Sequence, residues 1–192
     1  YYVHYPVFGT YAVPVEETMD ELNRMKKEGK IRAIGASNMN PEVLNEYCTY
    51  ADIEIIQEKY SLLDTHIADK LLPVCQKHHV SIQAYSPLEQ GLLTGKVTQD
   101  TVLSPTDVRN KNKFWAQKSR LHILDVLQKL TPYTEKYSCS LSNLIIYLTA
   151  ASLPDLHVLC GARKPEQIID NVKTLSLNLE EADLSEMSQL FE

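Results

Sequence analysis

The fold is indicated most directly by residues 31–57, IRAIGASNMNPEVLNEYCTYADIEIIQ. The apolar run 31–37 has the length of a strand, and Asn40-Pro41 then supply a capping side chain and a proline, which together mark a helix start. A second apolar run follows at 53–57. Strand, helix and strand joined by short connections are typical of a parallel βαβ unit. The residues expected to face inward from the helix are Val43, Leu44 and Tyr47.

The same alternation continues on both sides of this stretch. Runs of strand length also occur at 1–5, 80–85 and 157–160, so five strands are predicted. From about Gln90 to Lys118 the pattern is irregular, and loops of that length are rarely without a function. The chain is therefore predicted to be an α/β protein. Besides the one from Pro41, helices are predicted over about 16–27, 67–75, 121–130, 141–150, 165–175 and 184–191.

Composition excludes several classes of protein. The 192 residues are 44% hydrophobic, which suits one globular domain over 1–192. The net charge of −6 argues against a nucleic-acid or anionic-membrane partner. Without an apolar stretch of about 18 to 20 residues or a signal-peptide pattern, a cytoplasmic protein is expected. The cysteines form no CxxC pair, which predicts reduced, mostly buried thiols: Cys48, Cys75, Cys139 and Cys160.

The parallel strands could belong to an open nucleotide-binding sheet or to a closed barrel. An open sheet of that kind should carry a GxGxxG turn after its first strand, and the chain has none. A P-loop is also excluded, because Gly91 and Gly95-Lys96 enclose three residues and Val97 stands where Ser or Thr is required. Small or polar residues instead end every strand, which favours a (β/α)8 barrel, whose chemistry lies at that end. These residues are His4, Ser37-Asn38, Gln57, Tyr85-Ser86 and Gly161.

Taken singly, most of these residues have ordinary structural explanations. Gln57 is the exception, because an amide at a buried strand end needs a hydrogen-bond partner. The segment 161–165, GARKP, places two cations and free backbone N–H groups at a helix start, which suits a phosphate group. With no G-x-S-x-G and no HExxH pattern, neither a serine nucleophile nor a metal site is predicted.

Together, these residues make nearly the whole chain resemble an aldo-keto reductase. The likeness is to the branch that contains bacterial general-stress reductases and the potassium-channel β subunits. The segments that carry it are 3–6 (VHYP), 14–19 (PVEETM), 28–38 (EGKIRAIGASN), 84–96 (AYSPLEQGLLTGK), 107–109 (DVR) and 161–167 (GARKPEQ).

The resemblance implies a cofactor and a set of residues that bind it. Members of the family hold NADPH in an extended pose across the mouth of the barrel, without a glycine-rich turn. By position, Ser37, Asn38 and Gln57 would hold the nicotinamide carboxamide, Tyr85 would stack under the ring, and Ser86, Pro87, Leu88, Gly91, Leu92 and Lys96 would surround the pyrophosphate. Gly161, Arg163, Gln167 and Asn171 would bind the adenosine end, with Arg163 on the 2′-phosphate.

The resemblance also implies a reaction, in which a hydride passes to the carbonyl carbon of a small aldehyde or ketone. His4 matches the histidine that polarises the carbonyl oxygen. The Asp, Tyr and Lys that complete the family's catalytic set belong to the first three βα units, so the chain corresponds to strands 4 to 8 of the barrel. Either roughly one hundred residues precede residue 1, judged from a ~250-residue barrel, or the product is truncated.

Three functions stay open at this point. The first is an NADPH-dependent reductase. The second is a regulatory subunit that binds the cofactor but has no turnover. The third is an inactive remnant that a partner stabilises. An oligomer is compatible with each of them.

Overall fold

The computed structural model describes residues 1–191 and contains a five-stranded sheet. The strands lie in chain order, and the first four are parallel, as successive βαβ units require. The prediction of a parallel α/β protein with five strands is confirmed. The strands are β1 (Tyr2–Val3), β2 (Ile34–Ser37), β3 (Ile53–Lys59), β4 (Ser81–Tyr85) and β5 (Leu156–Leu159).

Nine α-helices lie between and after the strands in the described part of the chain. None of them combines the length and the apolar character needed to cross a bilayer. Short 3-10 turns occupy parts of the segment predicted to be irregular, at Glu89–Thr94, Val108–Lys111 and Lys113–Trp115. The helices are α1 (Val15–Lys27), α2 (Pro41–Tyr50), α3 (Ile67–Lys70), α4 (Leu72–His78), α5 (Gln117–Lys129), α6 (Thr131–Lys136), α7 (Leu141–Ala151), α8 (Pro165–Val172) and α9 (Glu181–Gln189).

The structure corrects three of the predicted details. The helix expected over 67–75 is two helices, because Pro73 removes a backbone donor and is tolerated only in the first turn of α4. The helix predicted over 121–130 begins earlier, at Gln117, and its Leu121 is exposed, whereas Ile123, Val126 and Leu127 are buried. Of the cysteines, which are all free thiols, only Cys75 is fully buried.

Residues 1–191 form two compact units. The first contains residues 1–60, 64–85 and 155–157, and therefore holds β1 to β4 with α1 to α4. Its strands are buried on one face, through Ile34, Ala36, Ile56, Ile82 and Ala84. The alternate positions of β3 and β4 are only half-buried and carry polar side chains: Gln57, Lys59, Gln83 and Tyr85.

The second unit contains residues 61–63, 86–154 and those from Val158 onward. An apolar core holds it together around the buried face of α7. The N-terminus of α7 is closed by a capping box, in which Ser140 accepts from the backbone of Asn143 and the Asn143 side chain accepts in return. The fully buried members of this core include Leu92, Leu93, Leu130, Leu144, Ile145 and Leu148.

Candidate functional site

The polar residues that end β2 and β3 are joined by hydrogen bonds within the first unit. The Ser37 hydroxyl donates to the backbone oxygen of Gln57 at 2.7 Å. The Asn38 side-chain nitrogen donates to Ser37 Oγ at 3.0 Å and to the backbone oxygen of His4 at 2.9 Å. Asn38 has a φ of 58°, a left-handed conformation that asparagine tolerates better than most residues. The ends of β1, β2 and β3 therefore meet around the Asn38 amide.

Tyr85 belongs to the same cluster. Its hydroxyl donates to Asn38 Oδ1 at 2.8 Å. Burial raises the pKa of Tyr85, and the nearby Tyr5 hydroxyl raises it further, so the phenol is held in its neutral, donating form. Tyr85 is half-buried, which leaves part of its ring surface open.

The side-chain amide of Gln57 has a hydrogen-bond partner, as expected for an amide at a strand end. Its Nε2 donates to Gln83 Oε1 at 3.2 Å, and the same oxygen accepts from the Tyr2 hydroxyl at 2.9 Å. Gln83 is not among the site residues predicted from the sequence. A signal was available, because Gln83 precedes Tyr85 by two residues and alternate residues of a strand share a face.

His4, expected to be catalytic, lies just beyond β1 and is exposed. Its ring centroid is 4.5 Å from that of Tyr5, with the two planes tilted by 51°. Within residues 1–191 its imidazole makes no hydrogen bond, so both ring nitrogens remain available to a ligand.

The predicted pyrophosphate loop belongs to the second unit and has an unusual backbone. Ser86, Glu89 and Gln90 all have positive φ, at 62°, 44° and 56°, as do Gly91 and Gly95. Non-glycine residues adopt this conformation rarely, and a run of them indicates a segment held by its surroundings.

Glu89 fixes this loop to the residues around it. Its fully buried carboxylate accepts from Ser61 Oγ at 2.6 Å and from Asn112 Nδ2 at 3.0 Å. Its backbone oxygen accepts from the indole N–H of Trp115 at 3.1 Å. This role of Glu89 was not predicted, since nothing in the local sequence shows that a glutamate beside a loop glutamine is buried.

The other predicted residues of this loop differ in what they expose. The side chains of Pro87 and Leu92 are buried, so only their backbone atoms can face a ligand. Leu88 and Gly91 are half-buried, and Lys96 is exposed.

The segment before α8 corrects one expectation. The backbone N–H groups of Arg163 and Lys164, read from the sequence as free for a phosphate, both donate to Gln167 Oε1, at 2.7 and 3.1 Å. Gln167 is the third residue of α8, where such a side chain folds back to cap the helix start. The side chains of Arg163 and Lys164 are exposed, as is Gly161, and Asn171 is half-buried.

Comparison with known proteins identifies the family. The model of the aldo/keto reductase family matches residues 1–192. The chain is 39% identical to the NADH-specific methylglyoxal reductase of Escherichia coli (strain K12), an alignment that covers 100% of this chain and 58% of that protein. It is 31% identical to aldo-keto reductase YhdN of Bacillus subtilis (strain 168), over 94% of this chain and 55% of that protein. The chain thus spans a little more than half the length of these relatives.

Solved structures agree. The glycerol dehydrogenase AKR11B4 from Gluconobacter oxydans superposes with a TM-score of 0.85 at 28% identity, over 93% of this chain and 54% of that one. An aldo-keto reductase from Klebsiella pneumoniae in complex with NADPH gives a TM-score of 0.71 at 23% identity, over 100% of this chain and 57% of that one, which shows likeness of fold. The chain therefore belongs to the aldo/keto reductase family of oxidoreductases.

Proposed function

We propose that the chain, as one domain over 1–192, corresponds to strands 4 to 8 of a (β/α)8 barrel and binds a nicotinamide dinucleotide for the reduction of aldehydes or ketones. The observation that carries this proposal is the hydrogen-bonded cluster of Ser37, Asn38, Gln57 and Tyr85. A (β/α)8 barrel carries its active site at the carboxyl ends of its strands, and the polar cluster lies at such strand ends.

The acceptors in the cluster fit a primary carboxamide. Gln57 Oε1 accepts no hydrogen bond from residues 1–191, and Asn38 Oδ1 accepts one, from Tyr85. An amide or carboxyl oxygen has two lone pairs, so both oxygens can receive an N–H from the nicotinamide carboxamide. Tyr85 adds an aromatic surface suited to the flat ring. When bound, the cofactor supplies the hydride.

The second unit offers groups that fit the phosphates. The exposed ammonium of Lys96 and the exposed guanidinium of Arg163 are cations of the kind that bind them. We propose that the backbone from Ser86 to Leu92 and the side chain of Lys96 bind the pyrophosphate. Gly161, Arg163, Gln167 and Asn171 are proposed to bind the adenosine end.

His4 is proposed to act on the substrate. Its free imidazole can donate a hydrogen bond to a carbonyl oxygen, where negative charge develops as the hydride arrives at carbon. A small carbonyl compound is the proposed substrate, in keeping with the activity for which the Escherichia coli relative is named.

The proposed cofactor is NADPH, on the strength of Arg163, although the Escherichia coli relative is named as NADH-specific. Titration of the chain with NADPH and with NADH by isothermal calorimetry separates the two. If Arg163 binds the 2′-phosphate, Arg163→Ala weakens NADPH binding by about tenfold, the equivalent of one charge-assisted hydrogen bond, and leaves NADH unchanged. The neighbouring exposed cation supplies a matched control, Lys164→Ala. An equal loss for both cofactors, or no loss, would contradict the assignment.

A cofactor-binding subunit without turnover is the alternative. Calorimetric titration with NADPH measures binding, and oxidation of NADPH in the presence of an aromatic aldehyde measures turnover. Binding together with turnover supports the reductase, and binding without turnover supports the regulatory subunit. A chain that is folded by circular dichroism and binds neither cofactor would refute both.

A further inference from the structure

Two glutamine side chains, one of them in the cluster, form a polar pair on the half-buried face of the sheet in the first unit. Gln57 of β3 and Gln83 of β4 are register partners, so their side chains leave the sheet side by side. Gln83 Oε1 accepts from Gln57 Nε2 at 3.2 Å and from the Tyr2 hydroxyl at 2.9 Å. Both lone pairs of this oxygen are thereby used.

Gly35 makes room for the second of these hydrogen bonds. Tyr2 of β1 is the register partner of Gly35 on β2. A Cβ atom at Gly35 would lie 2.7 Å from two ring carbons of Tyr2, a separation that real Cβ atoms do not show. The absence of a side chain at Gly35 therefore allows the Tyr2 ring to lie across β2 and its hydroxyl to reach β4.

In this arrangement the nitrogen of the Gln57 amide is engaged and its oxygen is available. The last torsion of a glutamine side chain is broad and roughly two-fold, so an unrestrained amide presents nitrogen or oxygen almost equally well. Donation to Gln83 occupies Gln57 Nε2 and leaves Oε1 without a donor among residues 1–191. The nitrogen of the nicotinamide carboxamide is a donor and needs an acceptor. If the Gln57 amide were reversed, its own nitrogen would face that donor, and no hydrogen bond could form between them.

We propose that Gln83 is a positioning residue, which holds the Gln57 amide with its oxygen available to the carboxamide of the nicotinamide ring. This inference rests on the proposed binding of a nicotinamide dinucleotide. It assigns to Gln83 and Tyr2 an effect on the nicotinamide end of the cofactor alone, since neither has a proposed contact with the phosphates or the adenosine.

The test compares two ligands that differ in the nicotinamide group. NADPH and ADP-ribose 2′-phosphate, which lacks the ring, are titrated by calorimetry into the chain and into Gln83→Leu. Loss of one neutral hydrogen bond predicts a fivefold to tenfold weaker Kd for NADPH, by about the net value of such a bond, and an unchanged Kd for ADP-ribose 2′-phosphate. Gln83→Glu keeps an acceptor for both donors, and its NADPH affinity should stay within about twofold of the original chain.

A double-mutant cycle tests whether Gln83 acts through Gln57. Because Gln83 is proposed to act only on that amide, Gln83→Leu should have no further effect on NADPH binding once Gln57 is alanine. Tyr2→Phe keeps the ring beside Gly35 and removes only the hydroxyl, so a smaller loss in the same direction is expected. It also serves as the test variant if Gln83→Leu does not fold.

Four results would overturn the proposal. In Gln83→Leu, an equal weakening of both ligands would indicate a general structural role, and an unchanged NADPH affinity would show that Gln83 positions nothing. Full additivity in the double-mutant cycle would show that Gln83 does not act through Gln57. If the unaltered chain binds NADPH no more tightly than ADP-ribose 2′-phosphate, the proposed nicotinamide site itself fails, a result visible before any variant is made.

Discussion

Glu58 gives the sharpest test of the structure, because it is a buried carboxyl group in the middle of the sheet. Its side chain is 5% exposed and accepts from the backbone N–H of Met39 at 2.7 Å. Burial raises the pKa of Glu58 to about 7, against the opposing effect of the backbone N–H groups of Met39 and Asn38. A charged carboxylate is disfavoured there because no cation pairs with it among the described residues.

The raised pKa makes the stability of the fold depend on pH in a defined direction. Between the unfolded value of 4.5 and the folded value of about 7, the folded state binds more protons than the unfolded state. The stabilisation from Glu58 is therefore fully present below pH 4.5 and is lost as the pH rises through 7. Over pH 5 to 8 this loss amounts to about 2.5 kcal/mol in the free energy of unfolding. The slope is ~1.4 kcal/mol per pH unit only where the folded state holds one more proton than the unfolded state, and it falls off near each of the two pKa values.

The variant Glu58→Gln removes the titration and keeps the shape. Urea denaturation of both proteins between pH 5 and 8 gives their free energies of unfolding, and the difference between them isolates Glu58 from other titrating groups. We expect the variant to gain about 2.5 kcal/mol relative to the original chain as the pH rises over this range. The exposed Glu46 of α2 provides the control Glu46→Gln, which should run parallel to the original chain. If the curve for Glu58→Gln instead ran parallel to that of the original chain, burial would not be raising the pKa of Glu58 in the folded state.

Three further changes test local features of the first unit. Gly35→Ala brings a Cβ within 2.7 Å of the Tyr2 ring, so thermal unfolding should show a loss of about 1 to 3 kcal/mol, and an unchanged Tm would contradict the packing. Asn40→Ala removes the side-chain cap that accepts from Val43 N at 2.8 Å and should cost about 1 kcal/mol in urea denaturation; Asn40→Ser should recover most of it. His79→Gly relieves a left-handed residue with φ of 58° after α4 and should raise the stability by about 0.5 to 1 kcal/mol, whereas a loss would show that the His79 side chain contributes more than its backbone costs.

The order of elements could be predicted because its signals are local. Apolar alternation and the Asn40-Pro41 pair at a helix start act within a few residues, so β2 and α1 were placed to within three residues and α2 was given its correct first residue. A prediction failed where a single residue interrupts a longer apolar pattern. Pro73 divides the helix expected over 67–75 into two helices. The polar residues that end the strands were likewise visible in the sequence.

The contacts of those polar residues depend on the tertiary structure. Gln57 obtains its partner from a residue 26 positions away, and Tyr2 reaches the same atom across 81 positions, separations at which no local pattern carries information. The capping of the N–H groups of Arg163 and Lys164 was overlooked for another reason, since two competing acceptors, a ligand or Gln167, fit the same sequence.

The strand–helix order and the residue types at the strand ends could be predicted from local patterns in the sequence, and a set of short motifs carried the resemblance to the family. The burial that raises the pKa of Glu58, and the contacts by which Glu89 secures the loop of the second unit, arise from the tertiary structure. Both outcomes depend on which chain segments exclude water from a carboxylate and which donors then reach it, and folding alone brings those groups together.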